Sequence, residues 1–415
     1  MAETNWAGNI IYGASRLHHP RSVAEVQAIV RGAAKVRGLG SRHSFNTIAD
    51  TDADLVSLRH LNRVIGIDTA AGTVTVEGGI TYGELCPQLQ EAGHALANLA
   101  SLPHISVVGA VMTATHGSGN RNGNLATAVA ALEFVAADGE IVKLARGDAG
   151  FDGAVVSLGA LGLVTSITLD IMPSFDVRQD VYEELPFATL AENFEALSGA
   201  AYSASFFTDW RGDTIEHVWL KSRADAPFSL GGDFHGARLA DRKWHPIGDM
   251  DATTSTEQMG VAGAWHERLP HFRIDLIPSA GEEIQSEYFV ARTDAPAALR
   301  ALHAVQDQFS EPLFVSEVRT IAADELWLST AYQRDSVAFH FTFRRDWPAV
   351  RAVLPVIEQA LAPFGARPHW GKQMTMEPAE VQALYPRMDD FRQVLAQYDP
   401  GGKFRNAFVE TMIFS

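Results

Sequence analysis

Hydrophobic and polar positions along the chain alternate between two periods. Ser22 precedes Val23, Val26, Ile29 and Val30 on one helical stripe, and Glu25 three residues on completes a capping box, so a helix is predicted from Val23. A short strand over residues 36–39 then runs into a polar, glycine-rich loop, Gly40-Ser41-Arg42-His43-Ser44-Phe45-Asn46. Thr73-Val74-Thr75-Val76-Glu77 alternates strictly and ends at Gly78-Gly79, as a half-buried strand does. Thr81 and Glu84 form a second capping box, opening a helix that carries Tyr82, Leu85 and Leu89 and stops at Gly93. Residues 98–123 show no period, yet hold Leu102, Ile105, Val107, Val108, Val111 and Met112. They read as an ordered, buried loop of functional length. Strands at 132–136 and 141–144 flank Asp138-Gly139, a strong hairpin signal. The glycine-punctuated stretch 153–162 leads to a strand at 164–171, and Pro173 marks a boundary.

The second half predicts strands at 203–208, 217–221, 286–290, 313–319 and 336–343, with helices at 295–309 and 347–361. Residues 222–281 carry too little periodicity to assign. From Pro378 the tail returns to helix, then to Asp399-Pro400-Gly401-Gly402-Lys403-Phe404-Arg405-Asn406. The pattern is that of an α+β protein in two lobes.

Composition narrows the classes. A chain of 415 residues, 47% hydrophobic and 20% charged, is long enough for two or three domains or one with a large insertion. The formal charge of −17 argues against nucleic acid and anionic membrane surfaces, both of which attract basic patches. A single cysteine, Cys86, excludes a disulfide framework or a thiolate metal cluster within the chain. There is no basic-then-apolar leader at the start and no apolar run of about 18 residues, so a cytoplasmic, membrane-free protein is expected.

Four constellations could carry chemistry. Gly38-Leu39-Gly40 follows a strand, but a dinucleotide fingerprint would place its third glycine at His43, and no βαβ unit follows. The loop's glycines and free amides can still cradle a pyrophosphate, although His43 alone reads equally well as a loop histidine. The second is the small and hydroxyl-rich stretch from Ala100-Ser101 to His116-Gly117, which allows close backbone approach to a flat or phosphorylated ligand. Its histidines, His104 and His116, lack partners at metal-ligand spacing, so no metal is expected. The third lies on predicted strands, where period two puts Glu317 with Arg319 on one face and His340 with Thr342 on another. Together they floor a polar pocket or form a solvated sheet face. The fourth is Arg367-Pro368-His369-Trp370-Gly371-Lys372, whose lysine is a pocket cation or a surface group.

From Gly40 to Asn46 the sequence begins to resemble the vanillyl-alcohol-oxidase superfamily of FAD enzymes, and more closely its alditol oxidases and related sugar-lactone oxidases. The resemblance runs through Asn5-Trp6-Ala7-Gly8-Asn9, residues 100–119, Ser157-Leu158-Gly159-Ala160-Leu161-Gly162, Ser205-Phe206-Phe207-Thr208-Asp209-Trp210 and Trp265-His266-Glu267-Arg268-Leu269-Pro270-His271-Phe272. It ends with Pro368-His369-Trp370-Gly371-Lys372 and Lys403-Phe404-Arg405-Asn406-Ala407-Phe408. It implies an FAD domain of residues 1–173 joined by 376–415, and a substrate domain of 174–375 with an antiparallel sheet. It further implies that His43 carries FAD covalently, at a site where the family commonly has glycine just before the histidine and this chain has Arg42. Leu39, Gly40, Ser41, Arg42, Ser44, Ser101, Ser106, Gly109, Thr113, Thr115, His116, Gly117, Val164 and Asn406 are the further positions it assigns to the cofactor. Ser101, Glu317, Arg319, His340, Thr342 and Lys372 fall on the polyol pocket, and Ala100 where oxygen access is thought to be gated.

The activity implied is oxidation of the terminal C1 alcohol of polyols such as xylitol and sorbitol to the aldose, with oxygen reduced to hydrogen peroxide by a monomer. A sugar-lactone oxidase or dehydrogenase is the alternative enzyme, and a flavin- or carbohydrate-binding protein the alternative class.

Overall fold

The computed structural model of the protein describes residues 3–226, 231–248, 250–276 and 281–415. Met1 and Ala2, and parts of the unassigned 222–281 stretch, lie outside the described residues.

The chain opens on a small parallel sheet of β1 (Arg16–His18), β3 (Asp54–Val56) and β2 (Val36–Gly38), with α1 (Val23–Gly32) packed on it. The Ser22 hydroxyl caps α1 by accepting from the Glu25 amide at 3.2 Å, but the Glu25 carboxylate accepts from the Arg21 amide instead of Ser22's own, so the expected box is shifted by one residue. Val26 and Val30 bury against Val36, Val56, Leu163 and Phe404, and the last of these brings in the C-terminal tail.

An antiparallel sheet follows, in the order β4 (Val64–Asp68), β5 (Thr73–Glu77), β8 (Leu163–Asp170), β6 (Val129–Val135) and β7 (Ile141–Ala145). The alternation of β5 places Val74 and Val76 in the core with Tyr82, Leu85 and Leu89 of α2 (Tyr82–Glu91). The Thr81–Glu84 box of α2 is complete. Asp138-Gly139 does sit in the hairpin between β6 and β7, with Gly139 alone in the left-handed region at φ 82°. The aperiodic stretch 98–123 holds a six-residue helix, α3 (Val107–Met112), that its sequence conceals. Val107, Val108, Gly109 and Val111 are poor helix formers, and burial of Val107, Ala110, Val111 and Met112 overrides that preference.

The middle of the chain builds a ten-stranded sheet that is antiparallel in every pair. Its central strands are β9 (Asp176–Pro186), β10 (Ser203–Thr208), β11 (Thr214–Arg223), β12 (Glu283–Ala291), β13 (Leu313–Ile321) and β14 (Ser336–Arg344), in spatial order β9-β11-β10-β13-β14-β12. One face is apolar: Phe206, Val318, Phe339, Phe341 and Tyr288 pack under α4 (Ala295–His303) and α5 (Trp347–Leu361). The helix expected over 295–309 ends at His303 and tightens into a 3-10 turn at Gln306–Gln308. Strand β9 escapes the sequence pattern because its other face mixes Val181, packed with Phe207 and Trp219, with polar side chains that are covered; Glu183 accepts from the Trp244 indole at 2.5 Å and pairs with Arg238. The tail sends Val409, Met412 and Ile413 into the first lobe's core, where Trp265, Trp327 and Trp370 from the middle segment also pack. Among the described residues no helix is long and apolar enough to cross a membrane.

Candidate active site

The polar face of the large sheet follows from period two and register together. Glu317 on β13 and Glu287 on β12 both stand directly opposite His340 on β14, giving a row Glu317–His340–Glu287. One step along, Arg319 joins the same face, and in the other direction Gln285 is paired with Thr342. The predicted faces thus form one floor. Ser101 and Lys372 reach it from loops.

Glu287 is the hub of this floor and is 1% exposed. Its Oε1 accepts from Arg319 Nη2 at 2.8 Å and lies 3.1 Å from His116 Nε2, while its Oε2 accepts from Lys372 Nζ at 2.8 Å. Arg319 also donates to the Ser101 hydroxyl at 3.3 Å and lies 3.4 Å from Glu317 Oε2. Glu317 Oε1 is 2.7 Å from His271 Nε2, and His340 Nε2 is 3.0 Å from Gln285 Oε1.

Burial by itself raises both carboxyls. For Glu287 the charges of Lys372 and Arg319, with the hydrogen bond to His116, prevail and hold it well below the carboxylate range. For Glu317 the charge of Arg319 and the hydrogen bond to His271 do the same. Burial lowers Arg319, but the two carboxylates more than restore it; burial also lowers Lys372, and Glu287 opposes this only in part. His340 is pushed well down by burial and by Lys372, and His271 to about 4 by burial and Lys221. Two carboxylates therefore face two cations among neutral imidazoles.

His43 lines the same cavity. Its ring stacks on Trp6 at 5.3 Å, and burial pushes it down to about 4, so it is a neutral base with Nδ1 buried and unpartnered. Arg42 before it occupies the left-handed region at φ 65°, which glycine adopts freely, and pairs with Glu3. The Asn46 amide donates to the carbonyls of Trp370 and Lys372, and the Phe45 N–H to Gly371, so hydrogen bonds tie the histidine loop to the lysine segment.

The cavity has a volume of about 260 Å³. It is lined by all six expected pocket residues, Ser101, Glu317, Arg319, His340, Thr342 and Lys372, and by His43, Gly40, Ser41, Arg42, Ser44, Ser106, Gly109, Thr113, Thr115 and His116. An adjoining cavity of about 170 Å³ shares Gly40, Ser41, Ser106 and Gly109 and adds Leu39 and Val164. Gly117 and Asn406 line neither. A side chain at Gly117 would collide with Leu99 O at 2.3 Å, and the Asn406 amide clamps the carbonyls of Thr47, Ile48 and Asp50. Among the described residues no three His, Cys, Asp or Glu side chains group as metal ligands.

Glu287, Gln285, His271 and Lys221 belong to the site without standing out in the sequence. Period two puts Gln285 and Glu287 on one strand face just as it does Glu317 and Arg319, and that is the signal for the first two. His271 and Lys221 had no such signal, since only the folded chain brings them to Glu317.

The fold is that of the vanillyl-alcohol-oxidase-type flavoproteins. Two solved cholesterol oxidases, one of them from Brevibacterium sterolicum, superpose with TM-scores of 0.81 and 0.80 over 99% of this chain and 97% and 96% of theirs, at 16% and 15% identity. A family model for an FAD binding domain matches residues 14–145, and one for D-arabinono-1,4-lactone oxidase matches residues 281–412. The chain is an FAD-dependent oxidoreductase. Its residues fit that cofactor: joined cavities are rimmed by glycines, a side chain at Gly40 or Gly109 would come within 2.6 Å of Ser106 Oγ, and both that hydroxyl and His43 Nδ1 are buried without partners.

An alditol oxidase from a Streptomyces species is 47% identical over 99% of both chains. An L-gulono-1,4-lactone dehydrogenase of Mycobacterium tuberculosis is 29% identical and the L-gulonolactone oxidase of Mus musculus 26%, each over 99% of this chain and 98% of the relative. The chain belongs to the alditol oxidase family.

Proposed function

We propose that the protein oxidises the terminal C1 alcohol of an alditol, xylitol or sorbitol among them, to the aldose. The observation that carries this reading is the cluster in which Arg319 and Lys372 share the buried carboxylate of Glu287 beside Glu317, His340, Thr342 and Ser101. A polyol is uncharged and offers a hydroxyl on every carbon, so its recognition requires paired donors and acceptors rather than net charge. An alcohol is a very weak acid, and alkoxide character at C1 needs fixed positive charge; Arg319 and Lys372 supply it in a site that need not reorganise. His340 donates Nε2–H to Gln285, which leaves Nδ1 with a lone pair, and its neutral state suits it to accept the hydroxyl proton. Glu317 accepts substrate hydroxyls and orients Arg319.

FAD, when bound, supplies the two-electron chemistry, with molecular oxygen leaving as hydrogen peroxide. We assign its covalent attachment to His43, a reading supported by the neutral, unpartnered ring nitrogen. The FAD domain is assigned to residues 1–173 and 376–415 and the substrate domain to 174–375, in a monomer of the cytoplasm. Ala100 lines the same cavity and is the position assigned to oxygen access.

The test is anaerobic bleaching of the bound flavin by a panel of xylitol, sorbitol and an aldonolactone, followed by air. Bleaching by the polyols and recovery with peroxide are expected. Bleaching by the lactone alone would transfer the protein to the sugar-lactone enzymes, the alternative favoured by the lactone-oxidase match over residues 281–412. A flavin bleached by neither would leave a binding protein. Acid precipitation tests the linkage: yellow colour stays in the wild-type pellet and is lost from that of His43→Ala.

A further inference from the structure

Beside Glu317 runs a file of two buried groups that the reaction above does not use: His271, which itself lines the cavity, and Lys221 beyond it. His271 Nε2 is 2.7 Å from Glu317 Oε1, and His271 Nδ1 is 3.0 Å from Lys221 Nζ. Lys221, on β11, is 1% exposed; its ammonium also donates to the carbonyls of Leu269 at 2.5 Å and Pro270 at 2.9 Å. An ammonium has three N–H groups and no lone pair, and here it meets three acceptors. His271 Nδ1 must therefore be bare and Nε2 protonated, which aims an N–H at Glu317. The same residue's main-chain N–H holds the Ser101 carbonyl at 3.0 Å, so one segment braces two pocket residues.

We infer that Lys221 and His271 are positioning residues for the pocket: the Lys221 ammonium selects one His271 tautomer, and the Nε2–H of that tautomer holds the Glu317 carboxylate in its working orientation beside Arg319. The inference rests on the polyol reading of that pocket. Without its proton, Lys221 would accept from an Nδ1–H. The bare Nε2 would then confront the carboxylate, lone pair against lone pair, and Glu317 would turn away. Burial pushes Lys221 down to about 7, with Glu317 raising it and Arg319 lowering it; Gln179 and Ser203, its partners on the neighbouring strands, are uncharged. The tautomer switch therefore falls near neutral pH, and activity should decline as pH rises through it.

The experiment uses the holoenzyme with xylitol. Gln in place of His271 keeps an N–H near Glu317, whereas Asn keeps an acceptor near Lys221 and loses the donor. His271→Gln should retain kcat/KM within about 5-fold, and His271→Asn should lose about 100-fold, mainly in kcat, with flavin content unchanged. Lys221→Met should cost about 10-fold in the wild-type background and under about 2-fold in the His271→Gln background, since an amide has no tautomer to select. The alkaline limb of the pH profile should vanish in His271→Gln. Equal losses in Gln and Asn, or a Lys221→Met penalty identical in both backgrounds, would overturn the inference. Ring nitrogen-15 NMR of the wild-type protein decides it without variants or turnover: a protonated Nε2 at pH 6 is expected, and a protonated Nδ1 refutes the relay. Failure of the wild type to oxidise any polyol would instead sink the functional reading and leave the NMR result standing.

Discussion

Arg42 and Lys372 show how single residues carry cost and function. Arg42 holds a left-handed backbone at φ 65°, which costs a non-glycine residue about 1–2 kcal/mol, and its half-exposed pair with Glu3 returns no more than about 1 kcal/mol. Arg42→Gly should therefore stabilise the fold by about 1 kcal/mol, read as a rise of a few degrees in Tm; a fall would show that the Glu3 pair outweighs the strain. Lys372 has the opposite balance. Its ammonium is one of two cations on a buried carboxylate, and Lys372→Ala should cut kcat by two orders of magnitude or more while flavin stays attached. Unchanged steady-state kinetics would remove Lys372 from the mechanism. The chemistry of both residues was legible in the chain, Lys372 as a cation in an aromatic-glycine segment and Arg42 as an odd neighbour for His43. Their roles needed backbone angle and burial.

At the scale of one strand, β14 separates stability from activity residue by residue. Phe341 faces the helices at 0% exposure, and Thr342 faces the cavity. Phe341→Ala should destabilise by about 3–5 kcal/mol, seen in denaturant unfolding. Thr342→Val should leave the unfolding midpoint nearly unmoved and raise KM for xylitol; the reverse pattern would mean that the faces are misassigned. This alternation is visible in the residue order His340-Phe341-Thr342-Phe343 itself, and the same period predicts β5, β10 and the hairpin. Two of the elements that stayed hidden did so for opposite reasons. In α3, burial overrides β-branched residues and a glycine, and in β9 polar side chains are matched by partners more than 50 residues away, such as Trp244 for Glu183. Local patterns report neither long-range burial nor long-range partners.

Across the whole molecule, buried neutral histidines set the response to acid. Burial pushes His217 and His271 down to about 4 and His369 to about 3, against an ordinary value of 6.5 in the unfolded chain. Their folded values are depressed, so the unfolded state binds protons first: the stability they contribute is whole above 6.5 and is lost as pH falls toward 4, on the order of 3 kcal/mol for each. Glu287 and Glu317, held below the carboxylate range, add their loss only below about 4.5. Tm should therefore decline between pH 6.5 and 4.5, before Glu287 and Glu317 take up protons, and His217→Phe should flatten the slope; a Tm constant from pH 7 to 5 would refute this assignment.

The periodic elements, the polar faces of two strands, the histidine loop and the family resemblance are all legible in the chain, because each resides in residues close together along it. That Glu287 joins Arg319, Lys372 and His116, and that Lys221 reaches Glu317 through His271, emerges only on folding. Those contacts depend on the register between strands tens of residues apart. Register is set by what the whole core buries, and no local pattern carries it.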